Sequence, residues 1–285
     1  MSKVLFLFEG AEYEPDLFET TIRLIALNSN FVNDGDGIVC VYGTHIYKLY
    51  SKLKTDDGLD LVGLLNENID QYPNLRETLE DSEVTEDTFE AIYLLFDYDG
   101  HVNMPRVGDG SHIDGDTALM EMLDFFSDAS ENGKLLISYP MVEAIKHLSD
   151  EPTTIEDIIT SRCKGPHCPN IECEQRADRD KCQPIRMYYK TLVNNQHPHR
   201  RKTENIHPHE WGCIFKCHLK VAELMCGDSR SIVSQSDIFT VQLSDFISMS
   251  CPQVAVLSSF PFLFLDFIGE TALRERIDNL INNDI

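Results

Sequence analysis

Val4-Leu5-Phe6-Leu7-Phe8-Glu9-Gly10 and Ala91-Ile92-Tyr93-Leu94-Leu95-Phe96-Asp97-Tyr98-Asp99-Gly100 decide how this chain reads. Each begins as a short, continuously apolar run with aromatic and β-branched residues, the pattern of a buried strand in a parallel sheet. Each run then ends in acid. Carboxylates so placed sit at strand C-terminal ends, the edge at which open α/β sheets take their ligands. Asp97 and Asp99 are two residues apart in an extended segment. Their side chains therefore leave the same face and can share a hard, oxygen-seeking cation such as Mg²⁺ or Mn²⁺.

The sequence around these runs alternates strand and helix. Pro15 suits the first turn of a helix whose stripe is Leu17, Phe18, Ile22, Leu24, Ile25 and Leu27. Residues 37–43 predict a second strand, and Thr44 caps a helix with Ile46, Tyr47, Leu49, Tyr50 and Leu53 inward. A further helix is expected over 59–69 and an acidic surface segment up to Glu90. A Gly-rich loop follows over 101–116 at the ligand edge, with His101, just past Asp99, as a candidate to support the ligands from behind. Thr117–Phe126 reads as helix and Lys134–Ser138 as a fourth strand leading to Pro140. Alternation of this kind predicts an α/β domain over residues 1–150 built on a parallel, Rossmann-like sheet. Residues 151–285 read as a mostly helical second domain. Its expected helices are about 209–226, carrying Trp211, Ile214, Phe215, His218, Leu219 and Ala222 on one face, then 236–247 and 271–281.

Three motifs in this order carry a family resemblance. Glu9-Gly10 after the first strand and Asp97-x-Asp99 after a later one resemble the TOPRIM signature of topoisomerases, primases and OLD-family nucleases. Glu9-Gly10-Ala11-Glu12-Tyr13-Glu14-Pro15 resembles the E-G-x-x-x-E-P opening of RloB-like TOPRIM proteins. Ser138-Tyr139-Pro140-Met141-Val142-Glu143 resembles their S-N-P-x-x-E segment, with Tyr139 where Asn is usual. The resemblance covers the first half of the chain and implies a TOPRIM fold. It also implies Mg²⁺-dependent breakage or joining of phosphodiesters, here expected as cleavage of DNA or RNA, tRNA included, by an antiphage effector beside an ABC-type ATPase. On this reading Asp97 and Asp99 hold the metal, Glu14 is a further ligand with Glu12 an equally acidic neighbour, and Glu9 is a ligand or a general acid/base. Glu143 is either a catalytic carboxylate or a surface acid favoured by a helix N-terminus. His147, four residues on, would share its helix face, placed either to orient it or to contact phosphate.

Composition sets limits. The chain has 285 residues with 24 Lys and Arg against 48 Asp and Glu, a formal charge of −24, which disfavours general affinity for nucleic acid. The charge is segregated: residues 161–220 hold 12 basic and 6 acidic residues, a local balance of +6, and the remainder stands at −30. Arg200, Arg201 and Lys202 are the densest basic run there and a candidate substrate contact. The same region, about 161–220, is a Cys/His-rich insertion. Cys163, Cys168, Cys173 and Cys182 follow a C-x₄-C-x₄-C-x₈-C spacing that suits a structural Zn²⁺, with unliganded surface thiols as the alternative. His197, His199, His207, His209, Cys213, Cys217 and His218 form a looser second set, part of which the helix pattern already explains.

Nine cysteines with no secretory leader in view predict reduced thiols and a cytoplasmic setting. No apolar run reaches the length of a membrane span. No Gly-rich phosphate loop is present, so ATP hydrolysis would come from a partner chain. Oligomeric state is open, a dimer included. The rival reading is a non-catalytic acidic binding or regulatory protein of a defence complex, with carboxylates mimicking phosphate.

Overall fold

Every residue from Val4 to Phe8 is buried, as an interior strand of such a sheet requires. In the computed structural model this run is β1 (Lys3–Phe8), paired in parallel with β2 (Gly37–Val41) on one edge and β3 (Phe89–Asp97) on the other. The structure describes residues 3–11, 13–25, 37–55, 60–72, 88–98, 104–105, 112–130, 132–148, 150–162, 185–227, 233–249 and 253–282. Among these, β4 (Met104–Pro105) and β5 (His112–Ile113) form a small antiparallel pair. The main sheet is completed by β6 (Ser127–Asp128) and β7 (Gly133–Ser138), in the order β2-β1-β3-β7-β6. At one end of β7, Gly133 lies against Ile92 and Leu94; at the other, Ser138 O accepts from the Tyr98 N–H at 3.0 Å. β7 therefore runs with β3, and four strands are parallel.

The edge strand β6 is antiparallel to β7, a reversal that the polar pair Ser127-Asp128 does not announce in sequence. Gly133 is the first residue of β7, paired with Asp128 of β6. Its φ of +93° excludes a side chain, and a Cβ there would lie 3.1 Å from Leu94 Cδ1. The chain is thus α/β, with strand order reversing between β1 and β3, the topological switch point of an open sheet.

Two compact units divide the chain: Met1–Phe96 with Val102–Leu136, and Asp97–His101 with Ile137–Ile285. The sequence reading puts the boundary at Asp150. The first unit carries α1 (Tyr13–Ile25), α2 (Ile46–Thr55), α3 (Leu61–Glu67) and α4 (Gly115–Phe125). On α1, Leu17, Phe18, Ile22 and Ile25 are buried, Leu24 is half-exposed, and Leu27 lies outside the described residues. α2 buries all five residues expected of it. α4 starts two residues before Thr117 because Asp114, not a later residue, accepts from the Thr117 N–H at 3.1 Å and caps it.

The second unit is mostly helical. It contains α5 (Ile185–Gln196), α6 (Pro208–Cys226), α7 (Gln235–Val241), α8 (Phe260–Ile268) and α9 (Glu270–Asn282). A short antiparallel pair, β8 (Thr160–Arg162) and β9 (Gln253–Ala255), interrupts this helical content. α6 buries the predicted stripe from Trp211 to Ala222. It packs on α9 through Gly212, where a Cβ would come within 2.8 Å of Ile281 Cγ1. After Val241 the helix widens into a π-helical segment, Gln242–Ile247.

Two glutamines on this helical segment stand in for a missing strand. Gln235 Oε1 accepts from the Ile137 N–H at 3.1 Å on β7. Gln242 donates to Ala255 O at 2.8 Å and accepts from the Ala255 N–H at 2.9 Å, closing the edge of β9 with one fully buried amide. Replacing Gln242 by Leu keeps the volume but strands a buried N–H and C=O, which costs about 2–4 kcal/mol. Urea unfolding followed by the fluorescence of Trp211, the only tryptophan in the chain and buried on α6, should show that loss as a lower midpoint. An unchanged midpoint would contradict the role given to this amide.

Candidate functional site

The ends of β1 and β3 are fixed by backbone. The Glu9 N–H donates to Leu95 O at 3.2 Å, and Glu9 O accepts from the Gly43 N–H at 3.1 Å, so Glu9 continues the ladder just past β1. Glu14, in the first turn of α1, is buried and turns back so that Oε1 accepts from the Gly10 N–H at 3.1 Å. A Cβ on Gly10 would stand 2.5 Å from Glu14 Oε2 and 2.7 Å from Oε1. Glycine at position 10 is what lets this carboxylate lie on the backbone. The spacing Glu9-Gly10-x₃-Glu14 therefore has a local physical cause. Glu12 lies outside the described residues.

Asp97 is the last residue of β3 and is 7 % exposed. Its Oδ1 accepts from the Val142 N–H at 2.8 Å. That amide opens a 3₁₀ turn, Val142–Lys146, whose own N-cap residue, Met141, supplies no side-chain acceptor. Asp97 thus caps a distant turn, a charge-assisted bond contributing about 1.5–3 kcal/mol. Asp99, its expected partner on the metal, lies outside the described residues, as do His101 and the four cysteines Cys163, Cys168, Cys173 and Cys182.

Glu143 follows Val142 directly. It is only 1 % exposed, not a surface acid. Its Oε1 lies 2.9 Å from Lys190 Nζ on α5, and among the described residues Oε2 is buried with no hydrogen-bond partner. The expected helix with His147 beside Glu143 is replaced by a five-residue 3₁₀ turn, which breaks the four-residue spacing. His147 Nδ1 lies 2.9 Å from Tyr189 Oη instead. Burial, with a smaller push from Glu143, raises the Tyr189 phenol well above its ordinary range, while burial and the neighbouring His197 lower His147 to about 4. Both groups are therefore neutral, and one hydrogen bond joins them. Sequence patterns gave no signal for Lys190 or Tyr189, because both reach Glu143 and His147 only through the fold.

Arg200 is a further correction. It is 4 % exposed and donates from Nη1 to Lys146 O at 2.7 Å and Leu148 O at 2.9 Å, and from Nε to Glu210 Oε1 at 2.6 Å. It staples the turn 198–201 to the end of the 3₁₀ turn and to α6, so it is buried in the fold and not part of an exposed basic run. Arg201 and Lys202 remain exposed.

The second Cys/His set is dispersed. His199 pairs with Glu210, His218 Nδ1 accepts from the Ser258 N–H at 3.2 Å, and Cys217 is buried with its thiol pushed up to about 12 by burial. Among the described residues no group of three His, Cys, Asp or Glu is arranged to hold a metal. No described helix is long and apolar enough to cross a membrane. Comparison of the chain with protein-family models, with curated proteins and with solved structures gives no match.

His147 and His218 set a pH dependence. Burial is the leading cause in both, lowering His147 to about 4 and His218 to about 3 from an ordinary 6.5. Below that ordinary value the unfolded chain takes up protons that the folded chain refuses, so stability falls as pH drops from 6.5 toward 4. Each imidazole accounts for about 2 kcal/mol by roughly pH 5. The urea midpoint reported by Trp211 should therefore be lower at about pH 5 than at about pH 7.5. The double variant His147→Gln, His218→Gln should show a flatter dependence, and equal midpoints in the wild type would contradict the buried neutral state.

Proposed function

We propose that this chain is a divalent-metal-dependent nuclease of the TOPRIM kind, most similar to the OLD and RloB-like group. The single observation that carries the reading is Glu143. A carboxylate almost wholly removed from water, with one oxygen unpartnered among the described residues, sits next to the amide that Asp97 caps. A buried carboxylate left without full pairing is costly, and it is retained where a cation or a reacting proton uses it. Strand order supports the same reading, since β1 and β3 flank the switch point and end in Glu9 and Asp97.

By the resemblance, Asp97 and Asp99 hold Mg²⁺ or Mn²⁺, with Glu9 and Glu14 completing the ligand set and Glu143 as catalytic carboxylate. Asp97 and Glu143 are oxygen donors of the kind a hard cation takes, and one oxygen of Glu143 is buried and unpartnered among the described residues. Such an ion, when bound, neutralises the phosphate and lowers the pKa of an attacking water. The 3₁₀ turn presents Glu143 at a fixed position beside Asp97, because the Asp97 cap and the Arg200 staple hold its two ends. Substrate is DNA or RNA, tRNA included. A net charge of −24 makes unaided binding of a polyanion weak, which favours a partner ATPase supplying basic surface, in an antiphage setting. Cys163, Cys168, Cys173 and Cys182 are proposed to hold a structural Zn²⁺.

One observation favours the rival, a non-catalytic acidic binding protein. Glu14, Asp97 and Glu143 each already have a structural donor. Incubating purified chain with labelled DNA and tRNA, with Mn²⁺ or Mg²⁺ and with chelator, separates the two. The nuclease reading expects metal-dependent cleavage of a defined substrate, reduced by roughly 10²-fold or more in Asp97→Asn and Glu143→Gln. These variants keep the shapes of the acids they replace. Cleavage equal in wild type and both variants, or none with any substrate and metal, would favour the rival.

A further inference from the structure

We propose that Lys190 is a built-in cation that occupies Glu143 when no metal is bound, so that a divalent ion binds by displacing its ammonium group. This inference rests on the metal-site reading above and deepens it. The two partners differ sharply in environment: the Glu143 side chain is 2 % exposed and that of Lys190 is 57 % exposed, with Nζ 2.9 Å from Oε1. A carboxylate that deep is strongly destabilised without a neighbouring positive charge, whereas more than half of the lysine side chain already stands in water. The pair is therefore asymmetric. The buried acid depends on the pair more than the exposed lysine does.

The second carboxylate oxygen points the same way. Oε2 is buried and unpartnered among the described residues, so an ammonium on Oε1 satisfies only half of the acid. A divalent ion carries twice the charge and can engage both oxygens. Asp97 lies one residue away along the 3₁₀ turn through its bond to the Val142 N–H, so a second acid is fixed to the same turn. Exchange of ammonium for metal moves no backbone, because Arg200 holds Lys146 O and Leu148 O at the far end of the turn and Asp97 holds the near end. The consequence is a set point. Lys190 lowers the apparent metal affinity and holds the buried acid in place until metal arrives.

Mn²⁺ binding to the full chain, measured by calorimetry and by the loss of the free Mn²⁺ paramagnetic resonance signal, tests this without any activity readout. Lys190→Met removes the ammonium and keeps the stem, and should tighten Mn²⁺ binding by roughly tenfold. Lys190→Arg keeps the charge and adds a fork that grips a carboxylate more firmly, so binding should weaken. Arg201→Gln, at an exposed cation of the same unit that donates to Asn194 O at 3.2 Å and to Asn195 Oδ1 at 3.4 Å, controls for general charge. It should leave Mn²⁺ affinity within about twofold of wild type. Glu143→Gln should abolish the effect of Lys190→Met. Wild-type binding that is unchanged or weaker in Lys190→Met, or equally tightened by Arg201→Gln, overturns the exchange and leaves the metal site standing. Absence of Mn²⁺ binding in wild type and in Lys190→Met alike overturns the metal reading itself.

Discussion

The hydrogen bond from the Val142 N–H to Asp97 ties the end of β3 to the short turn that follows β7, and the candidate site hangs from it. A strand that ends in a buried acid must find donors for that acid, and a 3₁₀ turn must find acceptors for its first amides. Each need is met by the other here. The result places Glu143, the next residue, in a fixed and nearly water-free position. Any functional account of Asp97 therefore starts from an acid that already has structural work, and replacement by alanine would disturb the turn as well as any ligand set.

The surroundings of that turn are polar to an unusual depth. Glu143, Lys146, His147, Arg200 and His218 are all buried in the second unit. They are distributed in pairs and staples: Glu143 with Lys190, His147 with Tyr189, Arg200 with two carbonyls and Glu210, and His218 with the Ser258 amide. Removing one partner from such a set is more costly than the pair is worth, because the remaining group stays buried. These contacts fix a single arrangement of the turn. In that set one Glu143 oxygen and His218 Nε2 are buried without a hydrogen-bond partner among the described residues, and function is assigned to the acid because a carboxylate oxygen, not a neutral imidazole, is what a hard cation takes.

Much of the first unit was legible from pattern alone. Continuous apolar runs gave β1, β3 and β7, and periodic stripes gave the inner faces of α1 and α2, because those elements are specified by their own residues. The two-residue strand β6 was not legible, since Ser127 and Asp128 carry no apolar pattern and pair only because β7 offers an edge. Glu9-Gly10-x₃-Glu14 could be read because the bond from Gly10 to Glu14 is local. Sequence misjudged the segment after Pro140, where a distant cap by Asp97 yields a five-residue turn in place of a longer helix. Arg200-Arg201-Lys202 read as one basic patch. The fold separates them, burying Arg200 against carbonyls that no local pattern connects to it. Lys190 has no motif at all, and its role depends on a contact across the fold.

The central claim is that the acids at the end of β3 and on the following turn hold a divalent ion. Diffraction from crystals soaked in Mn²⁺, recorded at the manganese absorption edge, tests it most directly. The account predicts an anomalous peak within ligand distance of an Asp97 or Asp99 oxygen and of Glu143, with the Lys190 ammonium moved away. An occupied Mn²⁺ elsewhere, or none at saturating concentration with the Lys190 to Glu143 pair intact, would contradict it.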